Sequence, residues 1–551
     1  MNTWSETVRD LTIRLVRWPS VTNTPGERMW SQQLAEWLGQ QPYFAANPGQ
    51  LRLERTAADG YERSNLYALV RGEGPATVVL VGHYDVVSIE NYGDLAEWAA
   101  DPEALLPRLI ASLEAHANGP ADRLALEDLR SGAFLPGRGA LDMKSGLAAG
   151  LAVLLRFAAQ PERRGNLLFV ATPDEEEASH GARSAAAQLP ALAGEWGLEL
   201  AAAINLDATS DHGDGSQGQA VFTGTVGKFL PSLYLVGRET HAGYPFDGVN
   251  ANLLAAAVTQ AIECNTALCD EAEGEVAPPP VSLKQGDLKT YYDVTTPTAA
   301  WCYFNYLTHG RSAGAVLDLF AAATRAALDG ALAAQFEQAR RYAARVGAAP
   351  PVRWQATVLT YAELAGLARQ NGGAEFAGDL DRLTARLLAD PALDAPTFSR
   401  HVVEHLWRCS GLSGPAAVVC FGSLHYPHSL VAGRTEGERR LRDACLAQAE
   451  ALAAEHATPI GVRPFFTGIS DMSFYGSAME AADQDVVAAN TPLWGSRLTF
   501  DYGLVRALNL PTVNIGPWGR DYHQRLERVH LPYLTATLPE LIWRVAGEVL
   551  G

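Results

Sequence analysis

Four short apolar runs, each stopping on acidic or imidazole side chains, limit what this chain can fold into more than any other feature. Val78-Val-Leu-Val-Gly82 is followed at once by His83 and, two residues on, by Asp85. Asn166-Leu-Leu-Phe-Val-Ala171 runs into Thr172-Pro-Asp174-Glu175-Glu176-Glu177, and Ala201-Ala-Ala-Ile-Asn-Leu206 into Asp207. Pro511-Thr-Val-Asn-Ile-Gly516 leads to Pro517-Trp-Gly-Arg-Asp-Tyr-His523. Such uninterrupted apolar runs read as strands buried on both faces of a sheet. In an open α/β sheet the carboxyl ends of the strands line the ligand crevice, so these endings converge on one polar site. Surface charges have no reason to repeat that placement. The predicted fold is α/β, with a doubly wound mixed sheet forming a catalytic domain.

A further carboxylate, Asp142, sits in Gly137-Arg-Gly-Ala-Leu-Asp142-Met-Lys144-Ser-Gly146, on a glycine-flanked turn ahead of the apolar run Leu147 to Phe157. The turn can carry the carboxylate into a cleft while the following helix anchors it. Gly146, Ala149 and Gly150 are small and helically spaced, which lets that helix approach the sheet closely. The two oxygens of Asp142 could each hold a different metal ion, and the strand ends supply the other ligands: His83, Asp85, Glu175, Glu176, Asp207 and His523. Oxygen and imidazole donors suit hard or borderline divalent ions. Two such ions sharing one carboxylate hold and acidify a water and polarise a carbonyl. A neighbouring carboxylate that binds no metal can move the proton, and the adjacent Glu175 and Glu176 can divide those tasks between base and ligand. A lone His-x-Asp or Glu-Glu pair is more often a solvated surface feature, so the weight lies in the repetition.

At 551 residues and 48% hydrophobic composition, the chain exceeds what one core usually supports. The expected division is 1–215 and 413–551 for the catalytic domain, with an inserted α+β lid over 216–412 after the glycine-rich linker Ser210 to Gly218. Helices are expected over Ser5 to Leu38 on both sides of a turn, over Asn252 to Cys264 and over Ala315 to Arg345. Strands are expected over Lys228 to Val236 and Thr298 to Tyr306. Ala416 to Phe421 and the helix Glu436 to Glu455 are expected to rejoin the first sheet. Residues 88–135 read as a helical insertion near the cleft mouth, and 350–405 has no evident place.

The net charge of −19 disfavours nucleic acid and anionic lipid as partners. The N-terminus lacks a secretory pattern, no apolar run is of membrane-spanning length, and six cysteines form no Cys-x-x-Cys pair. A cytoplasmic protein with reduced thiols is expected, monomeric or homodimeric.

Several of these segments together carry a family resemblance. Val81-Gly-His83-Tyr-Asp85-Val-Val, the Gly137 to Gly146 stretch, Pro173-Asp-Glu175-Glu176, Gly237 to Ala251 with His241-Ala-Gly-Tyr-Pro, and Gly516 to Val529 resemble the M20 metallopeptidases and deacylases. Gly82 to Trp98 and Thr223-Gly-Thr-Val-Gly-Lys-Phe-Leu-Pro resemble the RocB-like arginine-utilisation branch. The resemblance implies a site with two zinc ions, cobalt or manganese being alternatives. His83 and Asp207 would hold one ion, Glu176 and His523 the other, with Asp142 bridging. It implies Glu175 as general base, Asp85 as the partner orienting His83, and His241 of the lid as oxyanion donor. The implied substrate is a small peptide or an N-acyl amino acid. The chain departs from the family pattern at Phe304-Asn-Tyr-Leu307, which lacks the arginine usual there, and at Asp207, where the branch favours glutamate.

Other readings are weaker. Gly137-x-Gly139-x-x-Asp142 lacks the third glycine of a dinucleotide fingerprint, and Gly224-Thr-Val-Gly-Lys228 is followed by Phe229 rather than a hydroxyl residue. No Gly-x-Ser-x-Gly elbow occurs. His180 reads as a helix-start residue, His425 and His428 as strand-end packing, and Trp494 and Trp518 as core aromatics as readily as pocket walls. A binding protein built on a retired site is the alternative from another class, but it should lack a ligand or the base, and every predicted position here is filled.

Overall fold

The computed structural model describes residues 4–551 apart from 212, 214, 350, 391, 467, 477 and 478. Residues 1–3 of the N-terminal reading, 212 and 214 of the glycine-rich linker, and 350 and 391 of the unplaced stretch therefore lie outside the described residues. The chain divides into two compact units. One comprises Met1–Thr225, Ser429–Ala478 and Gly503–Gly551, the other Val226–His428 and Met479–Tyr502.

The first unit is built on an eight-stranded mixed sheet. Its spatial order is Leu51–Arg55, Ser64–Val70, Arg164–Thr172, Glu73–His83, Glu199–Asn205, Thr512–Ile515, Ala220–Phe222 and Gly461–Arg463. The four central strands, Arg164–Thr172, Glu73–His83, Glu199–Asn205 and Thr512–Ile515, run parallel, so their carboxyl ends open on the same side. Both faces are buried. Val78, Leu80, Leu167, Phe169 and Ile204 join one large apolar cluster, while the alternate residues Val79, Val81, Leu168, Val170 and Ala203 are equally inaccessible. Continuous apolar text is what a strand needs when helices cover both of its sides.

Helices Trp4–Val16, Lys144–Ala158 and Leu538–Leu550 pack on one another, the last two also against the central strands, and Glu436–His456 lies against Leu538–Leu550 and, as expected, against first-sheet strands Glu199–Asn205 and Gly461–Arg463. Position 146, in the first turn of Lys144–Ala158, has room for no side chain: a Cβ there would lie 2.1 Å from the Leu206 carbonyl oxygen. The insertion forms three short helices, Glu90–Trp98, Pro102–His116 and Pro120–Ser131, around an apolar cluster of its own that includes Tyr92, Leu105, Leu109 and Leu129. Asp101 caps the second helix by accepting from Ala104 N, and Pro102 and Pro120 open their helices in the first turn.

The second unit is an α+β body. Its antiparallel core strands are Gly227–Phe229, Ala299–Thr308, Pro231–Val236 and Ala416–Phe421, with Thr357–Thr360 parallel at one edge. Ala251–Ile262 and the 34-residue Ala313–Val346 are its main helices. The stretch with no evident place supplies Thr357–Thr360 and the helices Tyr361–Asn371, Phe376–Leu388 and Ala395–Cys409.

One expectation is corrected. Ala416–Phe421 does not rejoin the first sheet; it pairs along its length with Pro231–Val236 and Thr357–Thr360 in the second. An apolar run buried on both faces carries no local mark of which sheet it completes. The second unit consequently extends beyond 412 and also reclaims 479–502, where Asp483 accepts from Ala313 N at the start of the long helix. Among the described residues no helix is long and apolar enough to cross a membrane.

Candidate metal centre

The carboxyl ends of the parallel strands bring together side chains up to 440 positions apart in sequence. His83 closes its strand, and its Nε2 lies 3.1 Å from Asp142 Oδ1, 3.7 Å from Asp207 Oδ1 and 4.0 Å from Glu175 Oε2. His523 Nε2 lies 3.2 Å from Asp142 Oδ2 and 3.0 Å from Glu176 Oε2. The two oxygens of Asp142 thus face different imidazoles, each with a second carboxylate beside it. His83, Asp142 and Glu176 offer donor atoms within 4.8 Å of one another.

The backbone around each group is tied in place. Asp85 is fully buried; its carboxylate accepts from Glu175 N at 3.0 Å, Glu176 N at 3.2 Å and Thr22 Oγ1 at 3.0 Å, and its carbonyl faces His83 Nδ1 at 3.0 Å. It therefore orients both the imidazole and the turn bearing the two glutamates. Behind that turn, Asp174 takes a left-handed backbone, φ 71°, and is gripped by Arg63 Nη1 at 2.7 Å. Asp207 is held by its neighbour strand: Asn514 Oδ1 accepts from Asp207 N at 3.0 Å, and Asn514 Nδ2 donates to Asp207 O at 2.9 Å.

Considering the protein groups alone, charge is badly balanced. Burial raises Glu175 well above the carboxylate range, and the negative charge of Asp207, Asp471 and Glu176 adds to it. Burial likewise lifts Glu176 to about 7 and raises Asp207. Burial opposes charge on His523, yet its hydrogen bonds to Asp142 and Glu176 hold it up at about 10; His83 is raised in the same way by Asp142 and Asp207. Asp142, although buried, is pulled far down by the two imidazoles. Five carboxylates thus crowd two imidazoles, a charge distribution that cations would compensate. Glu176 Oε1 is buried with no hydrogen-bond partner among the described residues, which leaves a lone pair free to ligate. With an all-oxygen and imidazole donor set, the residues present fit divalent cations.

Three contributors were not marked by the strand-end pattern. Asp471 starts a short turn, Asp471–Phe474, not a strand end; it is buried, its Oδ1 has no partner among the described residues, and burial lifts it to about 7. Glu527 accepts from Leu141 N at 3.2 Å and Asp142 N at 3.3 Å while pairing with Arg138, so it ties the Asp142 turn to the His523 loop. Asn514 lies inside an apolar run, and a polar side chain in the middle of a buried strand was the one available signal.

The bland readings of other residues hold. His180 opens helix His180–Trp196 and pairs with Asp174. His425 stacks on Phe229 at 4.0 Å, Trp494 on Tyr502, and Trp518 packs edge-on against Phe134. His241 belongs to the second unit, where it is exposed and its Nδ1 accepts from Gly243 N at 3.0 Å.

Residues 79–491 match the family model described as Peptidase family M20/M25/M40. YqjN of Bacillus subtilis is 31% identical over 536 residues, covering 96% of this chain and 93% of its own. RocB of the same organism is 29% identical over 550 residues, covering 99% and 95%. Among solved structures, an M20 family metallo-carboxypeptidase from Sulfolobus solfataricus covers 98% of each chain with a TM-score of 0.51 at 12% identity, a likeness of fold.

Proposed function

Since the chain belongs to peptidase family M20/M25/M40 and is a metal-dependent peptidase or amidohydrolase, we propose that it hydrolyses the amide bond of a small peptide or N-acyl amino acid at a two-cation centre. The observation that carries this reading is the disposition of Asp142, whose oxygens face His83 at 3.1 Å and His523 at 3.2 Å. In this reading His83 and Asp207 hold one cation, Glu176 and His523 the other, and Asp142 both, with zinc the first candidate and cobalt or manganese the alternatives. Bound there, the cations would supply Lewis acidity, polarising the scissile carbonyl and acidifying a water.

Glu175 is the carboxylate left for proton movement. It takes the proton of the attacking water and delivers it to the leaving nitrogen, a role suited to an acid whose burial keeps its affinity for protons high. Asp85 keeps His83 and the Glu175 turn in register. His241 is assigned the donor to the developing oxyanion, on the strength of its His241-Ala-Gly-Tyr-Pro motif. The RocB-like segments make amides of arginine and its relatives the first substrates to screen, alongside dipeptides and other acylated amino acids.

Replacing Glu175 by Gln keeps the size of the side chain and removes its basicity. The expected protein binds two cations per chain, as read by elemental analysis, and turns over at least about 100-fold more slowly. Parent-like turnover would refute the assignment of the base.

A further inference from the structure

The segment that carries His523 is a hairpin between strands Trp518–Arg520 and Arg528–His530, which pair with Gly519 opposite Val529 and Arg520 opposite Arg528. At its tip Asp521 and His523 both adopt left-handed backbones, φ 57° and 62°, a conformation that non-glycine residues keep only when their surroundings impose it. Those surroundings come from the helical insertion together with Arg138, whose Nη2 donates to the His523 carbonyl at 3.4 Å. Asn91 Nδ2 donates to the His523 carbonyl at 2.8 Å, and Arg138 Nη2 donates to Asn91 Oδ1 at 2.9 Å. At the base of the hairpin, Asp128 takes both facing arginines at once: Arg520 Nη1 at 2.7 and 2.6 Å, and Arg528 Nε and Nη2 at 2.9 and 2.7 Å. Leu526 packs against the insertion's own apolar cluster, and Arg525 Nη2 donates to Ser112 Oγ at 2.7 Å.

We propose that the insertion over 88–131 is a clamp that sets the position of the His523 imidazole, with Asn91 and Asp128 as its positioning residues. This rests on the reading of His523 as a cation ligand. The two residues act at different depths. Asn91 is exposed and holds the histidine's own backbone, whereas Asp128 is buried and fixes the spacing of the two strands that deliver it. Neither side chain is among the groups assigned to the cations or to the substrate. The clamp accounts for an insertion that closes a core of its own and yet spends its polar groups on a segment 392 to 432 residues further along the chain.

The test uses the full chain with zinc ion as probe. Asn91→Leu, close in size and unable to hydrogen-bond, should fold with parent-like circular dichroism but bind one of its two zinc ions about 10–100-fold more weakly in competition with a chromophoric chelator. After chelator treatment, amides 521–527 should exchange hydrogen faster than in the parent while the central strands do not. Asp128→Asn should show the same pattern more strongly, and Asp128→Glu should restore part of the affinity. His523→Ala is the reference for losing that ligand. A parent-like Asn91→Leu beside a defective His523→Ala would overturn the clamp alone. A parent-like His523→Ala would overturn the clamp together with the proposed centre.

Discussion

Replacing Gly146 by alanine tests whether the Asp142 turn and the Asp207 strand end are placed by the same contact. The added Cβ would lie 2.1 Å from the Leu206 carbonyl oxygen and 3.1 Å from Pro517 Cδ. Neither neighbour can step aside, since one is backbone immediately after a central strand and the other opens the segment leading to His523. Helix Lys144–Ala158 must therefore retreat by roughly 1 Å to restore an ordinary contact. Overpacking of this kind costs about 1–3 kcal/mol, and the better helix propensity of alanine returns no more than about 1 kcal/mol. A net loss of about 1–2 kcal/mol corresponds, in a unit of this size, to a fall in melting midpoint of about 1–3 °C. Because the retreat carries Asp142 away from Asp207, turnover should fall about 100-fold. The control is Gly330→Ala in the middle of Ala313–Val346, where a Cβ meets nothing within 4 Å and about 0.5–1 kcal/mol should be gained. Thermal melts and steady-state rates on the pair decide the matter. A Gly146→Ala protein that melts and turns over like the parent would refute the argument that this close approach aligns the site.

Cation affinity should fall as pH drops from about 8 to about 6, because His523, held up at about 10, and Glu176, lifted to about 7, must both give up protons to ligate; zinc titrations reporting a pH-independent affinity would contradict this. His425 is pushed down to about 3 by burial, so the unfolded chain takes up its proton below 6.5 while the folded chain does not. Stability is then lost as pH falls through that window, by about 2 kcal/mol from this residue at pH 5. His425→Phe should shrink the difference in unfolding free energy between pH 7 and pH 5 by that amount, measured by denaturant titration. Arg63 is buried among Glu27, Asp59 and Asp174. Arg63→Met removes the cation these three share, leaving Asp174 to His180, and should cost about 3–5 kcal/mol in the same assay; a parent-like value would show that the network adds nothing to stability.

The sheet and the converging side chains were legible because both faces of the central strands are buried, so their apolar text is continuous and its abrupt polar end marks the crevice. The Asp142 turn was legible for a different reason, its flanking glycines and the small residues that let its helix close on Leu206. Ala416–Phe421 was misplaced because local pattern states that a strand is buried, not which neighbours bury it. Asp471 escaped notice on a short turn without an apolar run ahead of it. Glu527 and Asp128 escaped because their meaning lies in partners far along the chain, Asp142 in one case and the paired arginines in the other. No periodicity reports a hydrogen bond across several hundred residues.

Strand Thr512–Ile515 lies between Glu199–Asn205 and Ala220–Phe222, so the sheet stays split into two separate ribbons until synthesis has passed Ile515, about 300 residues after Asn205. Through most of synthesis on the ribosome, Glu199–Asn205 presents an open edge and Asp207 lacks the asparagine that steadies it. That vacancy exposes a half-made chain to mispairing with its neighbours, a hazard that ends only when this strand slides home.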